Sequence, residues 1–190
     1  YPLGKIHMSK SLIIIGAGGH AESVTSVALS AGYSVIAYVD EDNKNSSIMG
    51  IPIISSEACY NTYRDNCYFI AVGQNSLREK IVHDVKLAVP KARFPSLIHQ
   101  SSVVGLSCKI GEGTIVMPKV NVGPSSDIGS FCIINSSVSI DHNSYIKDFA
   151  SCAPGVVTGG GIQIGFRTAI SIGTIIKHGI IVGDDTVIGG

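Results

Sequence analysis

The chain has 190 residues, enough for one domain or two small ones with modest cores. Its 14 Lys and Arg balance 14 Asp and Glu, so no electrostatic excess points to nucleic acid or to an anionic membrane surface. A phosphate-bearing ligand would therefore need a local binding site.

The five cysteines lack the paired spacing of a zinc site or of a secreted disulfide framework, which favours a reducing cytoplasm. The longest apolar run near the start, 12–15, is too short to span a bilayer or to act as a signal sequence, so no membrane insertion is predicted. Residues 1–7, which precede Met8, resemble a tag remnant and are left out of the fold prediction.

Residues 8–98 alternate strand-like and helix-like segments, which predicts a Rossmann-like α/β domain with a small parallel sheet. The predicted elements are a buried strand at 11–15, a helix at 21–31, a strand at 34–39, an edge strand at 51–54, a third central strand at 67–72 and an amphipathic helix at 75–88. The last helix would bury a stripe that consists of Leu77, Ile81, Val85 and Ala88.

A glycine-rich turn follows the first predicted strand. Gly16, Gly18 and Ala21, with Asp40 about 20 residues further on, match the dinucleotide-binding pattern, in which glycines let N–H groups at a helix N-terminus approach phosphate. The domain is too short for a second mononucleotide half, and no residue for hydride chemistry is evident. A nucleoside diphosphate, such as the UDP of a sugar nucleotide, needs only this much fold. A dinucleotide-binding module and a turn that binds nothing remain alternatives.

From residue 101 to the end, an aliphatic residue recurs every six positions. The series is Val104, Ile110, Val116, Val122, Ile128, Ile134, Ile140, Ile146, Cys152, Thr158, Ile164, Ile170, Ile176, Val182 and Ile188. Thirteen of these fifteen residues are Val or Ile, and eight are followed by glycine. A helix would spread such a series over three directions, whereas short strands that turn a corner every six residues would point all of it inward.

Three hexads make one triangular coil, and coils would stack about 4.8 Å apart through parallel strand pairing. The pattern predicts a β-helix over 99–190, in which the glycine that follows eight of the aliphatic residues provides a turn that other residues would find strained. A mechanical trimerisation solenoid without catalysis is an alternative. The chain stops at Gly190 without the cap that ends a solenoid, so a C-terminal segment is expected to follow.

Three motifs, in their order and spacing, resemble the bacterial sugar O-acyltransferase family of hexapeptide-repeat proteins. They are 16–20 (GAGGH), 71–78 (AVGQNSLR) and 135–142 (NSSVSIDH). The resemblance implies a left-handed β-helix, a homotrimer, and acetyl transfer from acetyl-CoA to the 4-amino group of a nucleotide-linked deoxy sugar. O-acetylation of a sialic-acid-like sugar is the alternative within the family.

The resemblance also implies roles for individual residues. His142 would be the general base, and acetyl-CoA would lie in a groove between neighbouring β-helices. A backbone N–H, that of Gly160, would stabilise the oxyanion. The substrate-binding residues implied are Gly18, Gly19, His20, Asp40, Gly73 and Asn135. The cofactor-binding residues implied are Ser151, Gly160 and Gly190.

Two positions depart from the family pattern. Family members usually carry Asp or Glu directly after the catalytic His, where this chain has Asn143, so Asp141 is expected to assist His142 instead. Some N-acetyltransferases have a second His beside the acetyl group, where this chain has Ser151. The second departure suggests a slower reaction or a different substrate.

No metal site is predicted. His178 follows His142 by two whole coils, about 10 Å along the axis, which is too far for both to bind one ion. This separation weakens a γ-type carbonic anhydrase interpretation, which needs three histidines. Cys152 occupies an inward-facing hexad position, which argues against a nucleophilic cysteine.

Overall fold

The computed structural model describes residues 10–189, which form a small α/β domain followed by a β-helix. The elements of the first domain are β1 (Lys10–Ile15), α1 (Gly19–Ser30), β2 (Tyr33–Val39), β3 (Ser47–Ile48), β4 (Ile51–Ile54), α2 (Ser56–Thr62), β5 (Cys67–Ile70) and α3 (Asn75–Ala88). Its sheet has the order β3-β4-β2-β1-β5, and only the β3–β4 pair is antiparallel. The parallel α/β prediction is confirmed, although β3 and α2 were not predicted.

The strand predicted to be central at 67–72 is β5, and that prediction of its place is wrong, because β5 lies at the end of the sheet beside β1. All four residues of β5 are nevertheless buried. The segment around Arg93 runs along the outer side of β5, where the N–H of Tyr68 donates to the Arg93 carbonyl at 2.9 Å. This cover explains why an end strand has the uniformly apolar sequence of a central one.

The buried stripe of α3 differs from the predicted one. Leu77 is 41% exposed, whereas Arg78 and Val82 are buried together with Val85. The helix is rotated because its first turn packs polar side chains, those of Asn75 and Arg78, against the β-helix. A hydrophobic pattern alone does not reveal this contact.

Two-residue strands make up the β-helix, and from β7 onward each begins six residues after the previous one. The strands are β6 (Leu97–Ile98), β7 (Val103–Val104), β8 (Lys109–Ile110), β9 (Ile115–Val116), β10 (Asn121–Val122), β11 (Asp127–Ile128), β12 (Ile133–Ile134), β13 (Ser139–Ile140), β14 (Tyr145–Ile146), β15 (Ser151–Cys152), β16 (Val157–Thr158), β17 (Gln163–Ile164), β18 (Ala169–Ile170), β19 (Ile175–Ile176), β20 (Ile181–Val182) and β21 (Val187–Ile188). Strands three apart pair in parallel, as Ile134 does with Cys152, so three strands complete one coil of a left-handed parallel β-helix.

The stacked strands form three faces. The first face contains β7, β10, β13, β16 and β19, and the second contains β8, β11, β14, β17 and β20. The third contains β6, β9, β12, β15, β18 and β21. Because β6 already pairs with β9, the β-helix begins at Leu97, slightly before the start that the repeat indicates.

The aliphatic series points into the prism, as predicted. Its members from Val116 to Ile176 are at most 7% exposed. Members near the two ends, such as Val104 and Ile188, are half-buried because fewer coils among residues 10–189 cover them. Each fully buried Val or Ile contributes roughly 1.5–3 kcal/mol to folding, so this narrow core is the main source of stability for the coils.

The glycine after the aliphatic residue has a different role from the predicted one. Gly111 and Gly165 do not have positive φ. A Cβ at Gly111 would instead lie 2.5 Å from the carbonyl carbon of Gly129, and one at Gly165 would lie 2.3 Å from that of Gly183. These glycines therefore let the backbones of stacked coils approach, and they are not required for a turn.

The left-handed conformation occurs two positions further along each hexad, with φ between 51° and 72°. The residues in this ladder are Ser107, Gly113, Lys119, Ser125, Phe131, Ser137, Asn143, Phe149, Gly155, Gly161, Arg167, Gly173, Gly179 and Asp185. Most of them are not glycine, although this conformation costs an ordinary residue about 1–2 kcal/mol. Coil stacking therefore stabilises these corners against their local strain.

Arg78 joins the two domains. Its guanidinium donates to the carbonyls of Phe131 and Phe149 at 2.8 Å, which are corners of successive coils. It also donates to the Gly73 carbonyl at 3.1 Å and to Oδ1 of Asn75 at 2.7 Å. The α/β domain is thereby fixed to the corner between the second and third faces.

The α/β domain covers the upper part of the third face. Ile115 and Ile133 point outward there, yet they are 0% and 6% exposed. On the second face the corresponding Tyr145 is 57% exposed. The corner between the first and second faces thus lies on the side of the prism away from the α/β domain. Within residues 10–189, the helices are too short or too polar to cross a membrane.

Candidate active site

His142 lies in the corner between the first and second faces, in the turn that connects β13 to β14. It comes two residues after the inward-pointing Ile140, where the chain leaves the strand, and its side chain is exposed. Its backbone N–H donates to Oδ1 of Asp141 at 2.8 Å. The imidazole therefore lies on the surface of the prism and outside its core.

The imidazole is oriented by the next residue in the chain. Nδ1 of His142 lies 2.8 Å from Oδ1 of Asn143. Because an amide oxygen can only accept, this contact selects the tautomer with its proton on Nδ1, in which Nε2 has a free lone pair. This is the tautomer that a general base needs.

Asn143 has the role that the sequence suggested for Asp141. Asp141 reaches the backbone of His142, and the side chain that meets the ring is that of Asn143. Asn143 has φ 55° and belongs to the left-handed ladder, a conformation that Asn tolerates better than most residues. Only five of the fourteen residues in this ladder are glycine, so the sequence pattern reveals neither the left-handed corner nor the contact with the ring.

Gly160 occupies the same corner one coil further along. A Cβ at this position would lie 2.7 Å from Nε2 of His142, so the ring occupies the space that any side chain at 160 would need. The N–H of Gly161 donates to the His142 carbonyl at 2.8 Å. Within residues 10–189, the N–H of Gly160 has no acceptor, and it is therefore available to a ligand beside the imidazole.

The glycine-rich turn forms a second candidate region, at the carboxyl end of β1. Gly16 has φ 103°, and a Cβ there would lie 2.9 Å from the Ala71 carbonyl oxygen, so this glycine is needed for packing. Gly18 and Gly19 are exposed, and nothing lies within 4 Å of where their Cβ atoms would be. A ligand can therefore approach the backbone at the start of α1, as predicted for these two residues.

His20 stands in the first turn of α1. Its Nε2 is buried and has no hydrogen-bond partner in the part of the chain that the structure describes. Burial and, to a smaller extent, the positive charge of Arg78 lower the pKa of His20. A buried polar atom without a partner is costly, which makes His20 a candidate contact for a ligand.

Asp40 organises the loop beside the glycine turn. Its Oδ2 accepts from the N–H of Ala17 at 2.9 Å, and its Oδ1 accepts from the N–H groups of Asp42 and Asn43. Both carboxylate oxygens are thus already hydrogen-bonded. Asp40 lines a cavity of about 490 Å³ at the ends of β1 and β2, and this cavity is large enough for a nucleoside.

The remaining predicted residues lie elsewhere. Gly73 and Ser151 share a smaller cleft, of about 280 Å³, between the start of α3 and the third face. Asn135 lies at the corner between the third and first faces, where its Oδ1 accepts from the N–H of Ser136 at 2.8 Å. Gly190 lies outside the described residues. Within one chain, the predicted site residues therefore lie in three separate places. Asp40 lies near Gly16, Gly73 lies near Ser151, and His142 lies near Gly160.

Residues 10–189 contain no cluster that could hold a metal ion, and the inward-facing Cys152 is shielded. Within the described part of the chain, no three His, Cys, Asp or Glu side chains are placed to hold a metal ion. Cys152 is fully buried in the prism, and burial raises its pKa to about 12. Its thiol is therefore neutral and shielded, as its inward position predicted.

Comparison with known proteins identifies the family. The PglD N-terminal domain family matches residues 11–85. A crystal structure of a histidine-to-asparagine mutant of perosamine N-acetyltransferase from Caulobacter crescentus, in complex with CoA and GDP-perosamine, has a TM-score of 0.89 and 30% identity to this chain. The alignment covers 95% of this chain and 86% of that one. The chain belongs to the hexapeptide-repeat family of sugar acetyltransferases.

Other members of this sugar acetyltransferase family are also similar. The acetyltransferase domain of PglB from Neisseria gonorrhoeae, in complex with acetyl coenzyme A, has a TM-score of 0.77 and 28% identity, covering 95% of this chain and 91% of that chain. GDP-perosamine N-acetyltransferase from Escherichia coli O157:H7 is 24% identical over 146 residues, which are 76% of this chain. UDP-N-acetylbacillosamine N-acetyltransferase from Bacillus subtilis is 31% identical over 114 residues, or 57% of this chain. The matched regions cover 65% and 51% of the lengths of these last two proteins.

Proposed function

We propose that this chain is a subunit of an acetyl-CoA-dependent N-acetyltransferase that acts on the amino group of a nucleotide-linked deoxy sugar, with His142 as the general base. The observation that carries the proposal is the pairing of His142 with Gly160. An exposed imidazole with a free Nε2 lies directly over a glycine whose N–H has no acceptor within residues 10–189. The similar perosamine enzyme, whose structure contains CoA and GDP-perosamine, supports the two substrate classes.

In the proposed reaction the sugar amine attacks the carbonyl carbon of the acetyl thioester. Nε2 of His142 takes the proton that the amine loses, while Nδ1 keeps its own proton and donates it in a hydrogen bond to Oδ1 of Asn143 throughout. The C–S bond then breaks, and the proton on Nε2 passes to the departing thiolate. The products are an acetamido sugar and free CoA, and His142 returns to its starting tautomer.

Two features of the corner assist this step. The N–H of Gly160 is free to donate to the oxyanion of the tetrahedral intermediate, beside the base. No acyl-enzyme is required, because the thioester is already activated. Cys152 could not form one in any case, because it is fully buried. Backbone donation from a glycine also leaves the approach to Nε2 open, since no side chain at 160 competes for the space.

The glycine turn of the α/β domain would bind the nucleotide. Gly18 and Gly19 offer unobstructed backbone, and the orphaned Nε2 of His20 would be satisfied by a diphosphate oxygen. The cavity beside Asp40 would take the nucleoside. These are the residues that the sequence motif predicted. Asp40 would act by holding the loop in place, because both of its carboxylate oxygens already accept hydrogen bonds from the backbone.

The positions of the two regions support a homotrimer with shared sites. The α/β domain covers the third face, whereas His142 lies at the corner opposite that face. A sugar nucleotide bound by one subunit would therefore present its amine to His142 of a neighbour. Ser151, on the third face beside Gly73, would then lie near the neighbour's base.

Coexpression of two inactive variants tests the shared site. His142→Ala removes the base, and Gly18→Asp places a carboxylate where the nucleotide phosphates would bind. Mixed trimers would regain activity, because some sites combine an intact nucleotide region with an intact His142. A site contained within one subunit would show no recovery.

The reaction itself is tested by incubating the protein with acetyl-CoA and a panel of acceptors. The panel comprises GDP- and UDP-linked 4-amino-4,6-dideoxy sugars and sialic acid, with thiol release and product mass as readouts. We expect acetylation of an amino sugar nucleotide, and a fall in turnover of about 10²–10⁴ for His142→Ala while the protein still binds CoA. Acetylation of sialic acid alone would indicate O-acetyl transfer. An unchanged rate for His142→Ala would show that His142 is not the general base.

The state of the cysteines supports a cytoplasmic location. The five cysteines are all free, and four of them are buried. Free thiols are typical of proteins in a reducing environment, so we place the reaction in the cytoplasm.

A further inference from the structure

Arg78 carries a buried positive charge that no carboxylate balances. Its guanidinium makes five hydrogen bonds, which use all of its N–H donors, and every acceptor is neutral. The acceptors are the carbonyls of Val72, Gly73, Phe131 and Phe149 and Oδ1 of Asn75. Among residues 10–189, no Asp or Glu forms an ion pair with Arg78. The hydrogen bonds of this side chain are therefore complete, but its charge is not compensated.

Such a charge is costly in the interior of a protein. Arg78 is 1% exposed, and burial lowers its pKa only to about 10, so the guanidinium stays charged at neutral pH. Buried charges in proteins are normally paired with an opposite charge, because hydrogen bonds to neutral groups do not replace the lost hydration in full. An anion bound nearby would supply the missing negative charge.

The guanidinium of Arg78 lies behind the glycine-rich turn. It donates to the Val72 carbonyl at 3.0 Å and to the Gly73 carbonyl at 3.1 Å. The same segment packs against the turn, since a Cβ at Gly16 would lie 2.9 Å from the Ala71 carbonyl oxygen and 3.4 Å from Cγ2 of Val72. Residues 71–73 therefore contact both Arg78 and the turn.

His20, in the first turn of α1, lies within the electrostatic reach of Arg78. Burial and, to a smaller extent, the positive charge of Arg78 lower the pKa of His20. Nε2 of the same ring is buried and has no hydrogen-bond partner within residues 10–189. The positive field of Arg78 and an unsatisfied ring nitrogen thus occur together at the start of α1.

The glycine-rich turn has no positive side chain of its own. Residues 16–20 contain no Lys or Arg, and the neighbouring residues 40–42 are Asp, Glu and Asp. These carboxylates would repel a diphosphate, and the N–H groups at the start of α1 offset the repulsion only with partial charges. A full positive charge has to come from outside the turn, and Arg78 provides one.

We propose that Arg78 is a positioning residue for the diphosphate of the sugar nucleotide, which its buried charge attracts to the contacts offered by Gly18, Gly19 and His20. This inference rests on the proposed function, which puts the nucleotide at the glycine-rich turn. Binding would balance the charge of Arg78, so the sugar nucleotide would also stabilise the junction between the α/β domain and the β-helix. CoA carries a diphosphate as well, and the two ligands are distinguished by measuring each one alone.

The effect of the charge is isolated by calorimetry on the intact protein without acetyl-CoA. The ligands are guanosine, GMP and GDP, and uridine, UMP and UDP. Arg78→Gln should weaken binding of the preferred diphosphate by about 10- to 100-fold, with little change for its nucleoside. Arg78→Lys keeps the charge but loses most of the hydrogen bonds, and it should recover most of the diphosphate affinity. Equal weakening of nucleoside and diphosphate in both variants would indicate a purely structural role and would overturn the proposal.

Lys10→Gln is the matched control for the change in net charge. Lys10 is exposed at the end of β1 that lies away from the glycine-rich turn. Its loss should leave diphosphate binding as in the wild type, because salt screens exposed charges more than about 10 Å apart. The affinity of Arg78→Gln for CoA should also be unchanged. A loss of CoA affinity without a loss of diphosphate affinity would place the effect at the donor site and would overturn the proposal.

The wild-type protein provides a further test that does not depend on the folding of a variant. The Nε–H group of Arg78 donates to the Phe131 carbonyl at 2.8 Å, and its NMR signal should shift when the diphosphate binds. An unmoved signal at saturating diphosphate would overturn the proposal, as would a wild type that binds no nucleoside diphosphate.

Kinetics provide the last readout. Arg78→Gln should raise the KM for the sugar nucleotide more than it lowers kcat, and it should leave the KM for acetyl-CoA unchanged. A lowered kcat with an unchanged KM for the sugar nucleotide would contradict the positioning role. Failure of the proposed function is distinguishable, because the diphosphate would then bind in a manner that depends on Arg78 without any acetyl transfer by the wild type.

Discussion

Nδ1 of His142 lies 2.8 Å from Oδ1 of Asn143, the residue that follows it in the chain. Asn143 is also one of the left-handed corners, with φ 55°. The backbone conformation that turns the coil therefore also directs the amide toward the ring. In this corner the backbone turn and the orientation of the His142 imidazole depend on the same residue, Asn143.

Substitution of Asn143 should separate its orienting role from its backbone role. Asn143→Ala removes the acceptor of the Nδ1 proton, and we expect turnover to fall about 10-fold or more because the useful tautomer is no longer held. Ser125→Ala is the matched control, since Ser125 occupies the same left-handed position one coil earlier with φ 58°. Both variants should lose similar stability, but only the first should lose activity.

Asn143→Asp should change the pH profile. A carboxylate in place of the amide would accept the same hydrogen bond and also stabilise the charged imidazolium. The acidic limb of kcat/KM should therefore move to higher pH, which pH-rate measurements from pH 5 to 9 would detect. An unchanged limb would mean that the residue at 143 does not contact the catalytic ring.

Gly160→Ala should uncouple activity from stability. The new Cβ would lie 2.7 Å from Nε2 of His142, and the exposed ring can swing away at small cost to folding. A displacement of about 1 Å at a reacting group can cost about 10²-fold in rate. Gly155→Ala provides the control, because Gly155 has φ 72° and open space around it, so it should lose about 1 kcal/mol of stability but no activity. Gly160→Ala should therefore lower turnover more than Gly155→Ala does, whereas Gly155→Ala should lower the melting temperature more.

Gly165→Ala tests the stacking role of the glycines. Its Cβ would lie 2.3 Å from the backbone carbon of Gly183, where no flexible side chain can yield. We expect a loss of roughly 1–3 kcal/mol or more, larger than that of Gly155→Ala, measured by denaturant midpoints at equal protein concentration. Equal losses of stability in Gly165→Ala and Gly155→Ala would mean that turn conformation alone explains the need for glycine at 165.

The hexad repeat predicted the three-sided stack because burial of one aliphatic per strand is a local property of the sequence. It did not reveal the left-handed ladder, which arises from stacking, or the reason for the glycines, which is contact with the next coil. The contact of Arg78 with Phe149 joins residues 71 positions apart through a backbone carbonyl, and it leaves no apolar signal. The motif predicted His142 as the general base, whereas the contact of its ring with Asn143 is evident only from the corner geometry.

Binding of a sugar nucleotide should be accompanied by proton uptake at His20. Burial and the Arg78 charge lower the pKa of His20 from its ordinary value of 6.5, so the free protein holds this ring neutral. A diphosphate beside Nε2 would raise the pKa of His20 again, so a proton would be taken up at a pH between the lowered and the raised pKa. Calorimetry in buffers of different ionisation enthalpy should reveal this uptake, and His20→Gln should abolish it. Buffer-independent enthalpies for the wild type would show that the diphosphate does not reach His20.

Loss of Arg78 should uncouple the two domains. Arg78 is 1% exposed, and burial lowers its pKa to about 10, so the guanidinium is still charged at neutral pH. Arg78→Met would leave the Phe131 and Phe149 carbonyls without their donor, and each unsatisfied buried group costs about 1–3 kcal/mol. Because the β-helix keeps its own core, we expect thermal unfolding to split into two steps, with the α/β domain melting first and becoming sensitive to protease. Arg64→Ala, which removes an exposed guanidinium from the same domain, should leave a single transition, and a single unshifted transition for Arg78→Met would mean that the apolar contacts between the domains suffice.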